Sequence, residues 1–175
     1  MQEDLSGKCM EFLDKQLGHV NSWLTFAEAK NAALIALNIA VIGVVFEHLS
    51  ACKILAAGLS ILFAASALFN LISFWPNDTS RPTKLVGGRS IDSLNLAFWG
   101  DIAAVKNQDQ YLDLVISQYF PGLVIQEGCR KLFIDQASEI VINSRIAAWK
   151  YHLFKTSLLF DIIGIIIFCI WILFA

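Results

Sequence analysis

Two apolar runs dominate the chain and decide what it can fold into. Residues 32–75 are apolar almost throughout, interrupted by the turn Glu47-His48-Leu49-Ser50-Ala51-Cys52-Lys53, and residues 158–175 form a second run. A bilayer requires roughly 20 apolar residues per helical crossing. The first block therefore holds two spans and the second block one. The first span is short if counted from Ala32, but Lys30 can snorkel, and counting from Ala27 gives it sufficient length. The last span, roughly 18 residues from Leu158, is near the lower limit, with Tyr151, Phe154 and Lys155 able to extend it at the interface. Composition agrees: 57% of the 175 residues are hydrophobic and 16% charged, against about half and a quarter in a soluble domain. The sequence predicts an all-α membrane protein with an N-terminal transmembrane hairpin, a cytoplasmic helical module and one C-terminal transmembrane helix, and it argues against a soluble enzyme.

Outside the spans the apolar spacing is helical. Leu5, Cys9, Phe12, Leu13, Leu17, Val20, Leu24 and Ala27 mark one face of an amphipathic helix leading into the first span. Residues 76–90, with Pro82 and Gly87-Gly88, read as a loop, and a weak strand is possible around Ser90-Ile91-Asp92. Residues 101–119 read as one or two short helices ended by Pro121-Gly122. Leu132, Phe133, Ala137, Ile140, Val141, Ser144, Ala148 and Tyr151 keep helical spacing, with no Pro or Gly before Gly164, so this helix is expected to enter the last span unbroken. The expected organisation is a cytoplasmic amphipathic helix (1–30), a transmembrane hairpin (31–75), a cytoplasmic helical module (76–152) and a C-terminal transmembrane helix (153–175).

Charge orients these parts. Lys8, Lys15 and Lys30 precede the first span, the middle region carries nine Lys and Arg, the hairpin turn offers only Lys53, and nothing basic follows the last span. The positive-inside tendency then places the N-terminal tail and middle region in the cytoplasm and the C-terminus outside, periplasmic or extracellular. The start of the chain lacks the pattern of a secretory signal, so no processing is expected. With net charge −2, partners must be sought in local patches.

Catalytic chemistry finds little support. His19, His48 and His152 are scattered and form no metal-binding spacing, and Cys9, Cys52, Cys129 and Cys169 are too dispersed for zinc or a disulfide framework; no metal and no cofactor is expected. Gly87-Gly88-Arg89-Ser90 could meet a phosphate but lacks the full pattern of a phosphate-binding loop, and a flexible turn is the commoner meaning. Arg81, Lys84, Arg89, Arg130, Lys131 and Arg145 are the candidate ligand-binding cations, with pairing to Asp135 or Glu139 as the ordinary alternative. Juxtamembrane Lys150 and Lys155 would meet lipid head groups.

Polar residues within the spans carry more information. Asn31 and Asn38 share one face of the first span, and Ser66, Asn70 and Ser73 make a stripe on the second; they serve either packing within a bundle or a water-lined path between subunits. Asp161 is an ionisable group in a span. It is either a helix-end carboxylate paired to Lys155 or reaching interfacial water, or part of a carboxylate ring around an oligomeric pore. The small residues Ala56, Ala57, Gly58, Ala64, Ala65 and Ala67 favour close helix approach and a homo-oligomer, with a tetramer the leading expectation.

The segment from Asn21 to Ala32, with Ala27-Glu28-Ala29-Lys30 at its centre, resembles the signature before the first span of the Pycsar effector family and related small membrane effectors of bacterial anti-phage defence. The resemblance continues in Phe98-Trp99-Gly100-Asp101-Ile102, in Tyr111-Leu112 and in the run from Ile140 to Trp149-Lys150-Tyr151. It implies that Glu28 and Lys30 are family-motif residues. It further implies a location in the bacterial inner membrane, a cytoplasmic module that senses a cyclic or oligomeric nucleotide made by a partner nucleotidyltransferase or cyclase, and spans that assemble and compromise the bilayer. The expected function is thus a nucleotide-controlled oligomeric effector forming an ion-conducting pore. The alternative is a membrane-anchored scaffold or accessory subunit binding a protein partner through its cytoplasmic helices. A membrane enzyme ranks last, since no convergent set of acid, base and nucleophile is apparent.

Overall fold

A computed structural model describes residues 2–48, 52–75 and 91–174. Five α-helices occur among them: α1 (Gln2–His48), α2 (Lys53–Ile72), α3 (Trp99–Ile102), α4 (Gln108–Tyr119) and α5 (Glu127–Phe174). No strand is present among the described residues; the weak strand expected near residue 91 is instead a single 3-10 turn, Ile91–Ser93. Three helices, α1, α2 and α5, are long and apolar enough to cross a membrane.

Local chemistry accounts for the helix limits. Glu3 and Asp4 complement the dipole at the start of α1. Asp4–Lys8 and Glu11–Lys15 ion pairs, at 2.7 and 2.6 Å, place the acid one turn before the base, the favourable order. Asn107 caps α4 by accepting the Gln110 backbone N–H, and the Gln110 side chain accepts the Lys106 N–H in return. The helix ends at Pro121-Gly122, where Gly122 takes φ +88°, a conformation that suits a residue without Cβ. Asp101–Tyr119, read as one or two short helices, spans the end of α3 and all of α4.

The chain divides into two compact units, Met1–Thr25 with Asn77–Ala148 and Phe26–Pro76 with Trp149–Ala175. The first has an apolar core in which Cys9, Leu13 and Val20 of α1 meet Tyr111, Leu112 and Val115 of α4 and Phe133, Ala137, Ile140 and Val141 of α5. Burial pushes the Cys9 thiol up to about 11 and raises the Tyr111 phenol, whose O–H donates to Leu96 O at 3.1 Å. Here α1 and α5 run parallel: Gln136 donates to Asp14 and Asn143 to Asn21, each pair separated by 122 positions.

In the second unit α2 runs antiparallel to the segments of α1 and α5 it touches. Asn38 of α1 bonds Ser66 of α2, while nearer the other end Val45 packs with Ala56, Leu59 and Phe63. Gly164 of α5 lies against the Phe63 ring so closely that a Cβ there would fall 2.6 Å from it. The buried positions of α2 (Ala56, Leu59, Phe63, Ser66, Asn70) alternate in steps of three and four, the spacing of a helical packing seam.

Candidate functional site

Beside its apolar cluster the second unit buries a stripe of polar side chains, while its exterior is apolar. Asn31, Asn38, Ser66, Asn70, Ser73, Lys150, Ser157 and Asp161 are all buried, whereas Leu37, Ile39, Ile54, Ile61, Leu68 and Ile166 face outward. The seam spacing explains this: on α1, Asn31, Leu34 and Asn38 follow each other by three and four residues, so both asparagines occupy interior positions that a water-soluble bundle would fill with leucine. Asn38 Nδ2 donates to Ser66 Oγ at 3.0 Å, and Ser66 Oγ donates to Ser157 O at 3.2 Å. Asn31 and Asn70 each donate back to the carbonyl four residues earlier, and Ser73 Oγ donates to Asn70 O at 2.6 Å. Asp161 is 1% exposed. It forms no ion pair with Lys155, which is exposed, and its position is interior to the three helices and not at a helix end.

At one end of this polar stripe Lys150 is buried as well, where sequence placed it among lipid head groups. Its ammonium donates to Glu28 Oε1 at 2.9 Å and to Ser73 O at 2.8 Å. It thereby ties α5 to α1 and satisfies a carbonyl at the C-terminal end of α2, where a cation also complements the helix dipole. Lys30 lies 4.4 Å from the Phe26 ring centroid and 5.4 Å from those of Tyr151 and Phe154, an arrangement that shields its charge with aromatic faces. Glu28 and Lys30 thus have separate roles: one holds an ion pair, the other an aromatic cradle.

The candidate ligand-binding cations are dispersed. Arg81, Lys84 and Arg89, together with Gly87, Gly88 and Ser90, lie outside the described residues. Arg130 and Lys131 are exposed near the start of α5, with Lys131 paired to Asp135 at 3.1 Å. Arg145 is buried, and its guanidinium donates to Val105 O at 2.7 Å and Lys106 O at 3.0 Å. About 22 Å of helix rise separates it from Arg130. Those two carbonyls follow α3, so Arg145 supports the fold of the first unit from within. Sequence reasoning missed this because the acceptors are backbone atoms some forty positions away. Among the described residues no cluster of three or more His, Cys, Asp or Glu could hold a metal ion.

A family model described as the Pycsar effector protein domain matches residues 12–175, nearly the whole chain. The chain belongs to the Pycsar effector family. This Pycsar effector is accordingly a membrane protein of anti-phage defence, and its three long apolar helices are the physical counterpart of that assignment. The match includes the Glu28–Lys150 pair, the Lys30 cradle and the whole polar stripe. No curated protein and no solved structure matches the chain significantly.

Proposed function

We propose that this Pycsar effector is an oligomeric inner-membrane protein whose spans open an ion-conducting path under control of a cyclic or oligomeric nucleotide made by a partner cyclase or nucleotidyltransferase. The observation that carries the reading is the inverted polarity of the second unit. Burying polar side chains among lipid-crossing helices is unfavourable unless they are hydrogen-bonded, and Asn31 Oδ1, Asn38 Oδ1, Asn70 Oδ1 and both Asp161 carboxyl oxygens lack a partner among the described residues. A rearrangement of α1, α2 and α5 that turns this stripe toward water would line a conducting path without moving any charged loop through the bilayer.

Self-association is supported by the opposite face of α1. Ala29, Ala33, Ala36, Ala40 and Gly43 are exposed and succeed one another in steps of four and three, which lets a second helix approach closely in lipid. The expected symmetric assembly is a tetramer. The hairpin of α1 and α2 and the span of α5 cross with the N-terminus cytoplasmic and the C-terminus outside, following the distribution of Lys and Arg. Arg130 and Lys131, with the loop cations Arg81, Lys84 and Arg89, meet the phosphates of the signal, while Arg145 acts through the turn it holds.

The test is ion flux across liposomes carrying the full-length protein, with and without cyclic mononucleotides and short oligonucleotides. Flux that responds to one nucleotide and loses its response in Arg130→Ala/Lys131→Ala supports the reading. Intact protein that carries no current under any nucleotide would favour the scaffold function instead.

A further inference from the structure

At the middle of the second unit the hydrogen bonds all run one way. Asn38 donates to Ser66, Ser66 donates to the Ser157 carbonyl, and the Ser157 hydroxyl is committed to Leu153 O at 3.0 Å. Asp161 lies beside both Asn38 and Ser66, yet the bonds these two side chains make run to Ser66 Oγ and to Ser157 O. What remains unpaired is made of acceptors: both Asp161 carboxyl oxygens and Asn38 Oδ1 receive no hydrogen bond among the described residues. An ionised carboxylate enclosed this way, with no counter-charge beside it and no hydrogen bond closed to either oxygen, is among the most unfavourable groups a bilayer-crossing helix can hold. A proton on Asp161 would remove that charge and give the orphaned Asn38 Oδ1 a donor.

We propose that Asp161 is the proton-binding site of the closed span bundle, its carboxyl O–H donating to Asn38 Oδ1. A single proton then completes a chain from Asp161 to Asn38, to Ser66, to the Ser157 carbonyl, linking α5, α1 and α2. No other group facing the site could hold that proton. The buried polar face of α1 brings Asn31 and Asn38, that of α2 brings Ser66 and Asn70, and neither helix places an ionisable side chain there. On α5 the nearest charges are Lys155, which is exposed, and Lys150, which is committed to Glu28 and Ser73 O. A metal ion would need several oxygens at once in place of its hydration shell, whereas a proton needs one acceptor. Hydration of the bundle would let the proton leave to water, so the closed state binds one proton more than the hydrated state and acid favours closure. That last consequence, for leak, rests on the pore reading proposed above; the protonation itself does not.

The experiment is infrared spectroscopy of the full-length protein in phospholipid liposomes at neutral pH, in H2O and D2O. A protonated-carboxyl C=O band that shifts on deuteration, disappears in Asp161→Asn and moves to higher frequency in Asn38→Leu is the expected result. Asparagine has the shape of the protonated acid and can donate to Asn38 Oδ1, and the wild-type band with its Asn38→Leu shift carries the test should Asp161→Asn fail to fold. Absence of the band from folded wild type, or its survival in folded Asp161→Asn, overturns the proposal. So does its loss on replacing choline by sodium or potassium, which would make the site a metal-cation site. In the same liposomes, leak should rise by up to about tenfold per unit of increasing pH in wild type and stay flat in Asp161→Asn. A pH-independent leak with the band intact would leave protonation standing and count against the pore.

Discussion

The two units solve opposite problems with the same helices. In the first, seventeen of the buried described residues are apolar and four are polar; in the second, six are apolar and eight polar. Water drives the first unit's leucines, phenylalanine and tyrosine inward. Lipid offers no such drive, so the second unit is held by close approach at Gly164, by buried hydrogen bonds and by one ion pair. Side chains of equal size should therefore matter very differently in the two places.

The largest expected effect is in the first unit. Tyr111 is fully buried and its hydroxyl is satisfied by Leu96 O, so Tyr111→Ala should cost about 4 kcal/mol. A truncation on the lipid side, Ile166→Ala at a residue 53% exposed, should cost under about 0.5 kcal/mol, far less than its smaller size alone would account for. Thermal melting of the full chain in detergent, followed by tryptophan fluorescence, measures both. Similar losses at the two sites would remove the distinction between the units.

Arg145→Met comes next, at about 3 kcal/mol, because it strips a buried donor from two carbonyls. Lower stability with nucleotide affinity preserved in the folded fraction would fix its role as internal support. Loss of affinity at unchanged stability would return it to the ligand.

These contrasts show what sequence could and could not convey. The three long apolar helices were legible because lipid demands continuous runs, and α1 and α5 were legible as unbroken helices because no proline interrupts them. That Asn31 and Asn38 share one helical face, and Ser66, Asn70 and Ser73 another, was legible from spacing; whether those faces turn into one bundle or toward a second subunit was not. The partners were hidden: Lys150 is satisfied by Glu28, 122 positions away, and by a backbone carbonyl. Likewise Asp161 stands next to Ser66 and Asn38 through packing of three helices, which neighbours on its own helix do not reveal. Spacing assigns a face; it does not say what lies opposite.

Gly164→Ala probes close approach. The added Cβ would lie 2.6 Å from the buried Phe63 ring, and overpacking there should cost about 2 kcal/mol. The pair Gly164→Ala/Phe63→Leu should recover part of it. Equal melting temperatures for wild type and Gly164→Ala would mean that α2 and α5 have room to part, weakening the comparison on its lipid side.

The smallest and most discriminating effect concerns the ion pair, whose two ends are unequally buried: the Lys150 side chain is 8% exposed and that of Glu28 44%. Removing the lysine leaves a carboxylate that water can reach and one unpaired carbonyl, Ser73 O, so Lys150→Met should cost about 1 kcal/mol. Removing the carboxylate leaves an ammonium in the interior with a carbonyl as its remaining hydrogen-bond partner, and Glu28→Ala should cost about 2 kcal/mol. The double variant Glu28→Ala/Lys150→Met should then be more stable than Glu28→Ala alone, since it discards the stranded charge. Melting of the three variants in one detergent decides the order. If Lys150→Met proves the most damaging, the lysine matters mainly as the cap on the α2 carbonyl, and the second unit depends on helix-end chemistry more than on pairing of buried charge.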